Sequence, residues 1–366
     1  MKLKIEEIID KDLWELFVDE NCVATFMQSY AWGEFEEKVN GHKTVRIAII
    51  NHEKIIALAQ ILIINAKRGK YLYLPHGPIF AKEIITETFY MQFDTDQISS
   101  TKSMNEQDLK DIADILTILT THLKKIAKEN KCAFIRLGST LPNLSTIQNI
   151  FTKIGFHQSH TYLNSENACV VEIKRSDEEI LANMRKTHRN LIRRKLHQEM
   201  LIEKRVDEKA LEEFFVLYDE TVKREKFRPF SQKYIRGEYE QFAKEKRAII
   251  LLGKEKAGND WIYSAGAVIL FTKNSAFYHQ GASIHSKLPV MYQLHWQGIL
   301  EAKKRGCRYY NMWGVSKEGR TPSGWDGLSS FKYGFGGKVW DYLPTQDLKL
   351  DYRYHFTKLI EKLQKH

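Results

Sequence analysis

Apolar residues along the chain follow two rhythms. Short runs rich in β-branched and aromatic residues, VRIAII (45–50), IIALAQILII (55–64) and YLYLP (71–75), read as strands. Helical patterns near 10–19 and 29–39 precede them. After them, Leu109, Ile112, Leu116, Leu119, Leu123 and Ile126 recur at spacings of three and four and predict a long helix. The strand CAFIRL (132–137) follows, then a helix over Ser145 to Ile154, with Ser145 as N-cap and Gly155 as stop.

The second half repeats this order. Helices near 207–224 and 231–246 precede the strands AIILLG (248–253), IYSAGAVILF (262–271) and AFYHQGAS (276–283). A helix opened by Pro289 runs to about Arg305, then come the strand CRYYNMW (307–313), a short helix and the strand VWDYL (339–343). The repeated series predicts two similar α/β domains, 1–166 and 167–344, with a C-terminal helix within 345–366 that packs on the first. That helix carries Phe356, Leu359, Ile360 and Leu363 on one face. The polar stretch 91–107 lacks periodicity and is expected to be a surface loop.

A chain of 366 residues with 43% hydrophobic and 12% aromatic content can bury a sizeable core, which excludes a disordered protein. Acidic residues interrupt the N-terminal segment before any signal-peptide core develops. The longest apolar run is about half of what a spanning helix needs. A soluble, cytoplasmic protein is expected. Four dispersed cysteines without a CxxC pair read as buried free thiols, and thirteen scattered histidines offer no metal spacing. Neither a metal nor a cofactor is expected.

The formal net charge of +10 points to a polyanionic partner or simply to solubility. Residues 183–205 concentrate eight Lys/Arg against two acids. In a helix, Arg185, Arg189 and Arg193 form one row beside Leu181, Met184 and Ile192, either a phosphate-facing surface or a solvated face. In AFYHQGAS, Gly281 and Ala282 allow close approach and Tyr278 and Ser283 supply hydroxyls, unless the strand end only needs a tight turn. Arg228 in EKFRPFSQKY precedes a proline and leaves the helical register. It suits either phosphate contact or a plain turn. In the last glycine-rich stretch (309–343), Gly314, Gly319, Gly324 and Pro322 predict a mobile loop, and Asp326 or Ser329 a cap for the short helix bearing FKYGFGG (331–337). Its Lys332, flanked by aromatics, reads as a surface lysine or as a fixed cation for an anionic intermediate.

QSYAWGEF (28–35), YLYLPHGPIF (71–80), FYHQGAS, the helix from Pro289, YNMWGVS and FKYGFGG occur together across nearly the whole chain. In that order they resemble the Fem-type (FemABX) peptidyltransferases, in the form without a coiled-coil arm. The resemblance implies two tandem acetyltransferase-like (GNAT) domains, with mixed sheets flanked by helices. It implies transfer of an amino acid from aminoacyl-tRNA to an amine on the stem peptide of a UDP-linked or lipid-linked peptidoglycan precursor. A monomer is expected, with peripheral contact at the inner membrane face.

By the same resemblance, Lys332 would stabilise the oxyanion with Phe331 beside it. Arg228, Tyr234, Tyr278, Ser283 and Trp32 would line the substrate cleft. The basic face of Arg185, Arg189 and Arg193 would, by its charge, suit the phosphates of the tRNA acceptor end. Glu36 stands where many relatives carry a lysine, and Lys38 is the nearest substitute. The other readings are an acyl-CoA-dependent N-acyltransferase on this fold, although no Q/R-x-x-G-x-G/A phosphate loop is present, and a non-catalytic RNA-binding protein.

Overall fold

The strand runs assemble into two mixed β-sheets in the computed structural model of the chain, which describes residues 2–66, 69–85, 104–194, 196, 198–225, 227–321 and 324–363. The first series of elements is β1 (Leu3–Glu7), α1 (Lys11–Asn21), α2 (Tyr30–Asn40), β2 (Lys43–Asn51), β3 (Lys54–Ala66), β4 (Gly69–Leu74), β5 (Ile79–Phe80), α3 (Glu106–Glu129), β6 (Phe134–Leu137), α4 (Ser145–Lys153) and β7 (His157–Gln158). The second is β8 (Asn167–Glu172), α5 (Asp177–Asn183), α6 (Lys186–Arg193), β9 (Met200–Arg205), α7 (Glu208–Glu225), α8 (Gln232–Ala243), β10 (Ala248–Ala257), β11 (Asp260–Phe271), β12 (Ser275–Ser283), α9 (Val290–Lys304), β13 (Tyr309–Gly314), α10 (Trp325–Tyr333) and β14 (Lys338–Asp341). Strand β15 (Gln346–Lys349) and helix α11 (Arg353–Leu363) come last.

The chain divides into two units. One comprises Met1–Ala168, Ser316–Ser323 and Val339–His366; the other comprises Cys169–Val315 and Gly324–Lys338. The repeated sequence rhythm is a repeated topology. Strands β1 to β4 are successive antiparallel neighbours and β6 joins β4 in parallel. Strands β9 to β12 do the same, and β13 joins β12 in parallel. A long helix, α3 or α9, precedes each parallel strand, because a parallel pair needs a crossover.

In the first unit the strand alternation sorts side chains onto two faces. Ile61, Ile63, Leu72, Leu74, Ile135 and Leu137 pack with Trp14 of α1, Leu116 and Leu119 of α3 and Ile147 of α4. Leu62, Ile64, Tyr71, Tyr73 and Phe134 face the other way and meet Tyr354 of α11. Helix α2 lies against Arg46 and Gln60, so closely that a Cβ at Gly33 would stand 2.3 Å from either side chain. Glycine is required there for packing. The Gln28 amide ties this end together, donating to Pro75 O at 2.7 Å and accepting from Gln60 N at 2.8 Å.

Strand β15, which has no apolar alternation, fills the gap between β6 and β7. It carries Asp347 to Arg136, which is 1% exposed. The guanidinium donates to Asp347 at 2.7 and 2.8 Å, to Glu361 at 2.8 and 3.0 Å and to Ser159 Oγ at 3.1 Å. Glu361 lies on the inward face of α11 with Tyr354 and Thr357. The apolar stripe expected to dock this helix points outward instead, with Phe356 61%, Leu359 57% and Ile360 37% exposed. A buried arginine demands two carboxylates more strongly than three apolar side chains demand cover. The Leu363 side chain lies outside the described set.

Three further expectations differ from the structure. The basic segment 183–205 is the short helix α6 followed by strand β9. The segment after Gly314, read as mobile, is tied down: Arg320 donates to both carboxylate oxygens of Glu166 and to Ser159 O, and Lys317 pairs with Asp341 at 2.6 Å. Neither Asp326 nor Ser329 caps α10, whose N-cap is Gly324 at φ 94°, while the Ser329 hydroxyl bonds Trp325 O. Of the stretch 91–107, residues 91–103 lie outside the described residues, and Asn105 closes a capping box on α3.

Candidate active site

In the second unit β12 and β13 pair only over Ser275–Phe277 and Tyr309–Asn311. Beyond that point no pairing joins them, and β12 carries a bulge against β11 between Val268/Ile269. Lys332 lies where these two parallel strands part. Its ammonium donates to Gly314 O, the last residue of β13, at 2.6 Å and stands 5.8 Å from the Tyr278 ring of β12. Lys332 is 4% exposed. No carboxylate among the described residues pairs with it, and Gly314 O is its one hydrogen-bond acceptor there. Burial without a counter-charge pulls its pKa down to about 8, slightly offset by nearby Cys169. Burial also pushes the Cys169 thiol up to about 12, so that thiol stays neutral at pH 7.

The carbonyl that receives Lys332 is held by strain. Trp313 has φ 62°, a left-handed conformation that a bulky residue rarely takes, and its N–H donates to Asn311 Oδ1 at 2.8 Å. Its ring meets the His279 ring edge-on at 5.3 Å, and His279 Nδ1 lies 2.8 Å from the fully buried Glu238.

The next turn of α10 is fixed by histidines. His188 of α6 donates from Nε2 to Phe331 O at 2.9 Å, and a Cβ at Gly334 would collide with the same ring at 2.1 Å. Phe331 is therefore anchored through its carbonyl, and its ring stacks edge-on with Tyr292 at 5.2 Å and Phe335 at 5.3 Å. His295 of α9 is fully buried and shares a 3.1 Å hydrogen bond with the Tyr310 hydroxyl through Nδ1. It lies 4.4 Å from the Tyr278 ring, edge to face. Burial, reinforced by the Lys332 charge, depresses its pKa to about 3, so it is neutral beside that ammonium. Burial also raises the Tyr278 and Tyr310 phenols, and both stay protonated. A Cβ at Gly281 would stand 1.7 Å from the Tyr278 oxygen, so this glycine is what lets the ring lie along β12.

Lys332, Phe331 and Tyr278 thus come together. Arg228 lies in the turn between α7 and α8, and Tyr234 in the first turn of α8. Arg228 is exposed and has no ion-pair partner among the described residues. Nearby Phe230 and Tyr234 stack at 4.6 Å and 15°. Ser283 ends β12, where its carbonyl accepts from Arg224 at 2.6 Å and Thr221 at 3.0 Å. Arg185 precedes α6 and its N–H donates to Gly334 O, while Arg189 donates to Ala182 O and Arg193 pairs with Glu178. All three row members have a protein partner, Arg185 through a 3.5 Å hydrogen bond to Ser330 Oγ.

Trp32 lies in the other unit and is a core residue: it is 3% exposed and packs between Phe26 at 5.3 Å and Phe35 at 5.0 Å. Glu36 is also structural, accepting from Asn40 Nδ2 at 2.8 Å and meeting His42 Nδ1 at 2.9 Å past the end of α2. Exposed Lys38 lies 3.9 Å from Glu34.

Sequence reasoning missed Trp313, His188 and His295. His295 falls in the apolar stripe of α9 with Leu294, Gly298, Ile299 and Ala302, and a histidine in such a stripe was the available signal. Nothing in the sequence announces a left-handed tryptophan. All four cysteines are free and buried, and no His/Cys/Asp/Glu group among the described residues could hold a metal.

A family model described as the FemAB family matches residues 9–254 and 240–362. No curated protein matches the chain. Among solved structures the chain is similar to FemX, with TM-score 0.78 and 17% identity over 99% of this chain and 100% of that one. It is also similar to a tandem GNAT protein from the clavulanic acid biosynthesis pathway, with TM-score 0.55 and 6% identity over 95% and 98% of the two chains. L-PGS from Bacillus licheniformis follows, with TM-score 0.53 and 11% identity over 96% of each. At these identities the likeness is one of fold.

Proposed function

The chain belongs to the FemAB family, a transferase family of peptidoglycan interpeptide-bridge formation, and from that premise we propose that it moves an amino acid from aminoacyl-tRNA to an amine of a peptidoglycan precursor stem peptide. The observation that carries the reading is Lys332: a buried ammonium with, among the described residues, a single protein acceptor, Gly314 O, and no carboxylate. An ammonium offers three donors. Those left over are suited to an oxygen that becomes negative during reaction.

The aminoacyl ester is already activated, so the chain needs chiefly to hold the amine near the carbonyl and to stabilise the tetrahedral oxyanion. In the proposed step the amine nitrogen bonds to the ester carbon while the carbonyl oxygen takes up negative charge beside Lys332. The carbon–ribose oxygen bond then breaks, and the proton shed by the amine ends on the ribose hydroxyl. Phe331 and His188 hold the α10 turn that presents Lys332. Tyr278 forms the opposite wall, neutral, with its ring centre 5.8 Å from the ammonium.

Arg228, without an ion-pair partner among the described residues and close in sequence to the Phe230–Tyr234 stack, has the chemistry to meet the diphosphate of the precursor bidentately, and the Ser283 end of β12 adds polar groups to the same unit. Arg185 and Arg189 are the members of the basic row without a carboxylate among the described residues and are the first candidates for a tRNA phosphate contact. The reaction needs no metal or cofactor.

The test is transfer of labelled amino acids from a charged tRNA pool to UDP-linked and lipid-linked muropeptide precursors, with and without ribonuclease. Product that forms with charged tRNA and disappears after ribonuclease supports the reading. Product from acetyl-CoA instead, or none from any charged tRNA, overturns it.

A further inference from the structure

The outward stripe of α11 has no use in the transfer chemistry. Tyr352, Phe356, Leu359 and Ile360 recur at the three- and four-residue steps that align side chains on one helix face, and they are 70%, 61%, 57% and 37% exposed. The Tyr352 and Phe356 rings touch edge-on at 6.4 Å, so the stripe is continuous. The opposite face is occupied by Tyr354, Thr357 and Glu361, all buried; Glu361 accepts from Arg136 and the Tyr354 hydroxyl donates to Asp347 of β15, which holds the helix to the sheet. We propose that this stripe seats α11 in the interfacial layer of an anionic phospholipid bilayer, with the helix axis along the membrane plane.

The charges around the stripe select this occupant. The two acids of the segment 349–363 are both consumed by arginines, Asp351 by Arg353 and Glu361 by Arg136. Lys349 and Lys358 have no acidic partner among the described residues, and His355 is exposed at the stripe's border. A second copy of the chain docked through the same stripe would set these lysines against their own counterparts, a like-charge contact that opposes association. A surface of anionic headgroups neutralises them instead and lets their stems lie along the apolar side chains. Among the described residues no helix is long and apolar enough to cross a membrane, so the contact is peripheral.

The proposal does not depend on the transfer reading, and its test measures binding alone. The full chain is sedimented with vesicles of phosphatidylglycerol and phosphatidylcholine, and with vesicles of phosphatidylcholine only. The expected result is binding to the anionic vesicles, weakened about tenfold or more by the double variant Phe356→Ser, Leu359→Ser. Both positions are exposed, so the variant keeps its fold, which circular dichroism checks. A second variant, Leu359→Trp, should bind more tightly and add a blue-shifted emission component on anionic vesicles. Binding that the double serine variant leaves intact would reduce the effect to general basic charge and overturn the proposal. Failure to bind at low salt overturns it too, as does a solution dimer that the serine variant dissolves.

Discussion

The Lys332 ammonium and the Gly314 carbonyl stand 2.6 Å apart with no carboxylate beside them among the described residues, so a full positive charge is buried against one backbone dipole. Such a charge is costly to the fold and useful to a reaction that develops an anion. Lys332→Met should therefore separate the two effects. Transfer should fall by about 100- to 1000-fold, the range for loss of an oxyanion donor. The melting temperature should hold or rise, because an undercompensated buried charge is gone. Lys332→Arg should not rescue transfer, since the planar guanidinium does not fit a point-charge site. Steady-state rates and thermal unfolding of the three proteins decide this.

The pH profile carries its own signature. The Lys332 pKa is lowered to about 8, so the cation and the transfer rate should decline together as pH rises through about 8. The effect on stability has the opposite sense. Between about 8 and the ordinary lysine value the unfolded chain binds the extra proton, so this group's contribution to stability grows with pH across that window. His295 acts in acid. Its native pKa is about 3, below the ordinary 6.5, so stability falls as pH drops from 6.5 toward 3. His295→Gln should flatten that acid limb in denaturant melts taken across pH 3 to 7. An unchanged slope would remove His295 from this account.

Gly281→Ala tests how Tyr278 is placed. The new methyl would coincide with the phenol oxygen, and the ring must swing out of the space facing Lys332. A loss of about 10- to 100-fold in transfer is expected from misplacement of this size, with a stability cost of about 1–3 kcal/mol. Tyr278→Phe keeps the ring and should retain most of the rate. If both variants behave alike, the hydroxyl rather than the ring position is what matters.

The Arg136 cluster should dominate the stability of the first unit. Asp347→Ala strips the buried guanidinium of its two-pronged partner and should cost about 3–5 kcal/mol. Arg136→Met with Asp347→Leu removes both charges, leaves Glu361 to be turned out, and should cost less than Asp347→Ala alone. Chemical denaturation of the two variants checks the order.

Periodicity in the sequence reached far into this fold. The repeated order of helices and strands is a repeated sheet topology, and FKYGFGG brings its lysine against Tyr278. What periodicity cannot convey is which face of a helix is turned inward. In α11 the apolar residues share a face, yet the helix docks by Tyr354, Thr357 and Glu361, because Arg136 lies 225 residues away in sequence and settles the matter electrostatically. Strand β15 escaped notice for a related reason: QDLK is polar, and it is a strand because its neighbours on both sides supply the pairing. Trp32 illustrates the converse. A residue in a family motif was assigned to the cleft, and its ring lies in an aromatic core.

The place of β15 between β6 and β7 also bears on how the protein is made. A ribosome releases the chain from its N-terminus, and the sheet that starts first cannot be completed until residue 349 has emerged. The unit that starts second has all its segments out by residue 338, earlier in synthesis. The leading half of the nascent chain thus waits with an open sheet edge beside β6 while the trailing half closes. Over this interval the unpaired edge is open to wrong pairing, which the arrival of β15 closes off.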